Sequence, residues 1–278
     1  MIKQHNPDVL TLDMEMTKMN GVQFLKNLMR LRPMPVVMIS TLTQHGADIT
    51  LEALEIGAVD YFPKPAVENT AEMIHYKQMV NAKVKMAAGA NVKQQHKTHQ
   101  AEKQKKVKQK SKRFDLIAIG ASTGGTEAVR SVLSSLPSNL PPIVITQHIS
   151  ALFTHSFAQR LDDASEMTVR DLAVDSAPLV NGCAYVAAGD QHMVIVKRGG
   201  CLYCELDDRP PVHRHKPSAA VLFDAFAETL KDIAIALLLT GQRPAGAAGL
   251  LKLKHEDAFT KAQEEQTPTI RRQHHGAP

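Results

Sequence analysis

The sequence has little cysteine: Cys183, Cys201 and Cys204 are its only three in 278 residues. An odd number in a chain without an export signal speaks against a disulfide framework, and reduced thiols are expected. Cys201-x-x-Cys204 with His213 and His215 downstream raises the question of zinc, but no second cysteine pair is present and H-x-H is not finger spacing. Long apolar runs are missing as well. None approaches the ~18 residues that cross a bilayer, and the opening MIKQHNPDVL lacks the apolar core of a secretory signal. Membrane insertion is therefore not expected, and the cytoplasm is the default location. Acidic residues are nearly absent from 91–113, where nine Lys or Arg face Glu102 alone. The formal charge of +5 is thus carried by one segment, and the rest of the chain is net negative. That segment also lacks aromatic rings for base stacking, and no helix-turn-helix pattern flanks it. It reads as a solvated linker rather than a nucleic-acid arm.

What is present is most informative at Asp115 to Gly125, DLIAIGASTGG. Phe114 to Ile119 is a short apolar run of the kind buried inside a parallel sheet, and Thr126 to Leu136 has helical spacing at Val129, Val132 and Leu133. Between them, Gly120-Ala121-Ser122-Thr123-Gly124 is a G-x-S-x-G. Small flanking residues let a sharp turn lift the Ser122 hydroxyl clear of the sheet, with backbone N–H groups and a helix N-terminus placed to stabilise an oxyanion. A second chemical group follows Ile143 to Thr146, another short apolar run: His148 emerges at the same sheet edge as Ser122 and can serve as a general base. The competing readings are a turn that holds a phosphate or merely connects two elements, and a histidine at a helix start.

The organisation is strand–helix alternation on both sides of the linker. Upstream, Asp8 to Leu12, Pro35 to Ser40 and Val59 to Phe62 read as strands, with amphipathic stretches at Gly21 to Leu31 and Ile49 to Ile56. Downstream, Phe114 to Ile119, Ile143 to Thr146 and Ile233 to Thr240 read as parallel strands, while 168–206 is rich in short, turn-bounded ones. The expected fold class is α/β: two doubly wound parallel-sheet domains, 1–88 and 114–278, joined by a basic linker, 89–113.

In the first unit Asp13 and Ser40 close strands, and Lys64 follows the third in YFPKP. A carboxylate, a hydroxyl and an ammonium are thereby expected to converge at one carboxyl edge, an arrangement suited to phosphoryl chemistry. Through LTLDMEM, Asn20-Gly21, MIST, Gly57-Ala58 and Tyr61 to Pro65, residues 1–88 resemble a response-regulator receiver domain. The resemblance implies Asp13 as acceptor of a phosphoryl group from a histidine kinase, Ser40 and Lys64 in contact with the phosphoryl oxygens, and Mg²⁺ held by Asp13 and an acidic pair after the family's first strand. That pair has no counterpart here, because the sequence begins near the end of the family's first helix; the magnesium site is expected to be incomplete.

The second unit resembles the catalytic domain of chemotaxis protein-glutamate methylesterases, the CheB family, through GASTGG, TQHI, FTHSFAQRL, AAGDQHM, HRHKPS and LLLTG in family order. The resemblance implies Ser122 as nucleophile, His148 as base, and Thr123 and Gln242 at the oxyanion and substrate site. It further implies hydrolysis of γ-glutamyl methyl esters on methyl-accepting chemoreceptors and deamidation of receptor glutamines, with no cofactor for hydrolysis. The family's triad acid lies in a T-G-M-G-x-D-G-A loop; here the corresponding residues are TGQRPAGA, with Ala245 at the acid's place. The sequence also departs after Ala262-Gln263-Glu264-Glu265, ending in a polar, basic TPTIRRQHHGAP that is expected to be disordered. Two functions remain in view: a methylesterase of impaired activity, and a non-catalytic module that binds receptors or the kinase. A dinucleotide-binding oxidoreductase is disfavoured, because the glycines are not spaced G-x-G-x-x-G.

Overall fold

The structure, a computed structural model, describes residues 2–16, 19–41, 43–65, 70–90, 92, 114–213, 215–230, 233–239 and 244–263. Of the linker read at 89–113, residues 91 and 93–113 lie outside the described residues, as do Gln242 and the tail beyond Gln263.

The first unit is a three-stranded parallel sheet in the order β1 (Leu10–Asp13), β2 (Val36–Ser40), β3 (Asp60–Pro63). A short helix α1 (Ile2–His5) precedes it. On one face lie α2 (Gly21–Leu31) and α3 (Gln44–Ile56), burying Leu25, Leu28, Ala47 and Leu51 against Val36 and Met38. On the other, α4 (Thr70–Ala88) lays Tyr76, Met79, Val80 and Val84 over Val37, Val59 and Phe62. The alternation within β2 explains the layering: Val36 and Met38 point one way, Val37 the other, as the two-residue period of a strand requires. Asn20 caps α2 by accepting from the Val22 N–H at 2.8 Å, and Thr43 caps α3 by accepting from the Gly46 N–H at 3.0 Å.

The second unit is built on β4 (Leu116–Ala121), α5 (Gly125–Leu133), β5 (Ile143–Gln147), α6 (Ala151–Asp163), β6 (Thr168–Asp171), β7 (Ser176–Pro178), β8 (Cys183–Val186), β9 (His192–Arg198), β10 (Cys201–Asp207), α7 (Ala219–Thr229), β11 (Ala234–Leu238), α8 (Pro244–His255) and β12 (Phe259–Ala262). Six of these strands form one parallel sheet in the order β12-β11-β4-β5-β8-β6, and β7-β10-β9 form a small antiparallel sheet beside it. Ile117, Ile119, Ile143 and Ile145 face α5 and α6, whereas Leu116, Ala118 and Val144 face α7 and α8. Both faces are covered, so β4 and the first three residues of β5 are apolar rather than alternating.

The order of strands decides where the chemistry sits. From β4 the chain winds outward through β5, and it later returns to β4's other side as β11. β4 is therefore next to the topological switch point, the place where an open α/β sheet leaves a crevice outside its carboxyl edge. Elements not named from the sequence include α1, α4, β12, and α8, whose first residue is Pro244. A proline is well suited to a first helical position, where its missing N–H costs nothing.

Candidate active site

The β4–β5 ladder pairs Gly120 with Thr146 and Ala121 with Gln147. The His148 N–H then donates to the Ala121 carbonyl at 3.2 Å, so Ser122 and His148 occupy the next positions of neighbouring strand ends. Beyond Ala121 the chain turns sharply: Gly125 N–H donates to the Ser122 carbonyl at 2.7 Å, and Gly124 takes the left-handed conformation, φ 71°. Gln147 buttresses the turn by donating its Nε2 to the same Ser122 carbonyl at 2.9 Å. A Cβ on Gly125 would lie 2.4 Å from Gln147 Oε1 and 2.7 Å from Ala121 Cβ, so only glycine lets the helix start this close to the sheet. Ser122 and Thr123 are buried at the head of α5.

The first unit closes over this edge. Asp60 of β3 is buried, and its Oδ2 accepts a 2.6 Å hydrogen bond from Thr123 Oγ1. Its Oδ1 accepts from the Tyr61 N–H at 2.7 Å and from Lys83 Nζ of α4 at 2.9 Å. Lys83 also donates to the Tyr61 carbonyl at 2.8 Å and lies 5.1 Å from the centre of the Tyr61 ring. That ring stacks on Phe153 of α6 with centroids 4.6 Å apart, and Arg160 of α6 reaches Glu55 of α3 at 2.7 Å and the Asp48 carbonyl at 3.0 Å.

His148 feels this enclosure. Burial, then the charges of Lys83 and His215, push its imidazole down from the ordinary histidine value to about 3, against a smaller opposing pull from Asp60. It is neutral at any physiological pH. The ring is not hydrogen-bonded to Ser122 in this arrangement; its Nε2 faces His215 Nδ1 at 3.5 Å, with the two rings edge to face, centroids 4.5 Å apart.

His215 is carried on a braced segment. Val212 and His215 exchange backbone hydrogen bonds of 3.1 and 3.0 Å across a tight turn in which His213 has φ 53°. Buried His192 holds both ends: its Nδ1 accepts from the Ser218 N–H at 3.1 Å and its Nε2 lies 3.2 Å from the Pro210 carbonyl. Asp60, Lys83 and His215 were not assigned to the site from sequence. Two signals were available: Asp60, an acid at the start of an otherwise apolar strand, and His215, which lies in the HRHKPS motif. The zinc idea weighed for His213 and His215 gains nothing: among the described residues no group of three or more His, Cys, Asp or Glu is placed to hold a metal.

At the carboxyl edge of the first sheet the structure brings Asp13 and Lys64 together, Oδ2 to Nζ at 3.0 Å. The Glu15 N–H donates to Asp13 Oδ1 at 3.0 Å. Partial burial pushes the Asp13 carboxyl up, but the Glu15 N–H and the Lys64 ammonium outweigh it and hold the group below the usual carboxylate range. Ser40 does not join them. It is fully buried, accepts from Thr50 Oγ1 at 2.7 Å and lies within 3.4 Å of the Gly46 carbonyl, so its hydroxyl is engaged by α3. The expected convergence of three groups is thus a convergence of two, because the backbone of α3's first turn offers the serine a nearer acceptor. The Mg²⁺ implied by the receiver resemblance needs about six oxygen ligands. Here one Asp13 oxygen meets an ammonium and the other a backbone N–H, while Glu15 lies 3.5 Å from the same Lys64. These residues do not fit the ion.

Comparison with known proteins shows the family of each unit. The CheB methylesterase family model matches residues 117–274, and the response regulator receiver domain model matches 1–76. A relative from Vibrio vulnificus, named protein-glutamate methylesterase/protein-glutamine glutaminase 2, is 57% identical over 270 residues, covering 97% of this chain and 78% of its own. This chain belongs to the CheB methylesterase family. A Salmonella typhimurium protein-glutamate methylesterase/protein-glutamine glutaminase is 46% identical, with 95% and 75% covered. Among solved structures, the CheB methylesterase catalytic domain of Thermotoga maritima superposes with a TM-score of 0.55 at 32% identity, covering 58% of this chain and 86% of that one. The α/β class with parallel sheets, expected from the strand–helix alternation, is the family's fold. Among the described residues no helix is long and apolar enough to cross a membrane.

Proposed function

We propose that this chain is a cytoplasmic chemotaxis regulator that hydrolyses glutamate methyl esters, and deamidates glutamines, on methyl-accepting chemoreceptors. In this reading residues 1–88 are a receiver unit addressed by a histidine kinase at Asp13, 89–113 a linker, and 114–278 the hydrolase. Ser122 Oγ attacks the ester carbonyl while His148 takes its proton; the turn's backbone N–H groups, the start of α5 and Thr123 stabilise the oxyanion. His148 then protonates the departing methoxide, and water releases the acyl group by the same route. The observation that carries the reading is the register, which sets Ser122 and His148 at adjacent strand ends beside the switch point.

The closed arrangement is a resting one. Asp60 occupies the Thr123 hydroxyl, and an imidazole held at about 3 is a poor base at neutral pH. Displacing the receiver would release Thr123, withdraw Lys83 and readmit water, each of which favours catalysis. The second reading, a non-catalytic module that engages receptors or the kinase, is favoured by Ala245 at the place of the family's acid. In other serine hydrolases losing that acid costs about 10⁴ in turnover.

Methanol release from methylated receptor separates the two readings, measured for the parent, Ser122→Ala and Ala245→Asp at equal folded concentration. The hydrolase reading expects slow release in the parent, none in Ser122→Ala, and a gain of about 10² or more in Ala245→Asp. Equal background in all three would leave the binding module.

A further inference from the structure

We propose that His215 is the positioning partner of His148, so that the hydrolytic group is a serine–histidine–histidine set. The inference rests on the hydrolase reading above. A serine base needs three things: a free nitrogen for the serine proton, a second nitrogen held in the opposite tautomer, and an acceptor there to share the imidazolium charge. Among the described residues, the side chain within hydrogen-bond range of the His148 ring is His215, Nδ1 to Nε2 at 3.5 Å.

Asp60, the carboxylate whose charge reaches His148, is committed elsewhere: one oxygen to Tyr61 N–H and Lys83, the other to Thr123. Asp60 also belongs to the unit that must move for substrate to enter. His215 belongs to the hydrolase unit itself, on a segment whose two ends are pinned by buried His192. It therefore stays beside His148 when the receiver leaves. A contact of 3.5 Å lies at the outer edge of hydrogen-bonding, and such contacts in ligand-free sites tighten when substrate binds.

The proton balance follows. In this arrangement His148 Nε2–H donates to His215 Nδ1, which leaves His148 Nδ1 as the basic nitrogen. The Ser122 proton moves to that Nδ1 as the Oγ–C bond forms, and the positive charge is shared through Nε2–H with His215. When the C–OCH₃ bond breaks, the Nδ1 proton goes to the methoxide and methanol departs. The cycle thus closes without an acid at position 245, more slowly than with one.

Two measurements on the full chain test this. The first is long-range nitrogen–proton NMR on ¹⁵N-histidine protein, with the His148 signals assigned by their loss in His148→Gln. The expected result is the Nε2–H tautomer of His148 in the parent and a mixed tautomer in His215→Phe, which keeps the ring packing but offers no acceptor. The second is methanol release, where His215→Phe is expected to lose about 10²-fold in kcat at little change in KM, and His215→Asp, which restores an acceptor, to regain most of it. An Nδ1–H tautomer in the parent, or a tautomer and kcat unaltered by His215→Phe, would overturn the proposal. If the parent and Ser122→Ala release methanol equally, the hydrolase reading fails by itself, and the tautomer still decides whether His215 orients His148.

Discussion

Removing Asp60 from the interface is the most demanding perturbation of this structure. Its carboxylate is nearly inaccessible, with 7% of the side chain exposed, and its partner Lys83 is 14% exposed. Breaking a buried pair by deleting one member costs about 3–5 kcal/mol, because the remaining charge stays desolvated without its counter-charge. In Asp60→Ala the Lys83 ammonium keeps the Tyr61 carbonyl at 2.8 Å and the Tyr61 ring, which places the cost near the low end of that range. The Thr123 hydroxyl also loses its 2.6 Å acceptor, a further ~1 kcal/mol if it stays buried. About 3–4 kcal/mol in total is expected from urea denaturation followed by far-UV circular dichroism. The control is Asp60→Ala combined with Lys83→Met. With no charge left to bury, the double variant should be more stable than Asp60→Ala alone, by about 1–3 kcal/mol. A loss below ~1 kcal/mol in the single variant, or a double variant no better than the single, would show that the pair is solvated and that the receiver is not clamped over Thr123 in this way.

Acid should weaken the folded state through His148. Its imidazole is held at about 3 in the folded chain against ~6.5 unfolded, so between those values the unfolded state binds the extra proton and stability falls as pH falls, by up to ~1.4 kcal/mol per pH unit. Burial also depresses His192, which adds to the slope in the same direction. Urea titrations from pH 7 to 4 should show a shallower slope in His148→Gln, and an identical slope would contradict the enclosure of the ring. Gly120→Ala probes the seat of β4: a Cβ there would meet Ala219 Cβ at 2.7 Å and Phe223 Cζ at 3.0 Å, so α7 must shift and ~1–3 kcal/mol should be lost in thermal or urea unfolding. An unchanged melting temperature would mean that α7 packs more loosely on β4 than these distances allow.

Much of the fold was legible because its signals are local. The apolar runs that became β2, β4 and β5 are unbroken where both faces of a sheet are covered, and α2 begins and ends at the residues where its apolar period does. β12 and α8 were missed because Phe259–Ala262 is only four residues of mixed character, and a proline–alanine–glycine start resembles a loop until Pro244 is seen to begin a helix.

The sequence by itself determined the central parallel strands of each unit and the arrival of Ser122 and His148 at one edge, since short apolar runs mark buried strands and parallel neighbours end together. Only the tertiary structure decided what surrounds them. Asp60 meets Thr123 across 63 positions of chain, and His215 meets His148 across 67. No period or propensity encodes such encounters; they follow from how separately formed layers pack. The same holds for Ser40, whose strand-end position suggested a hydroxyl aimed at Asp13 until the packing of α3 supplied Thr50 and the Gly46 carbonyl as nearer partners.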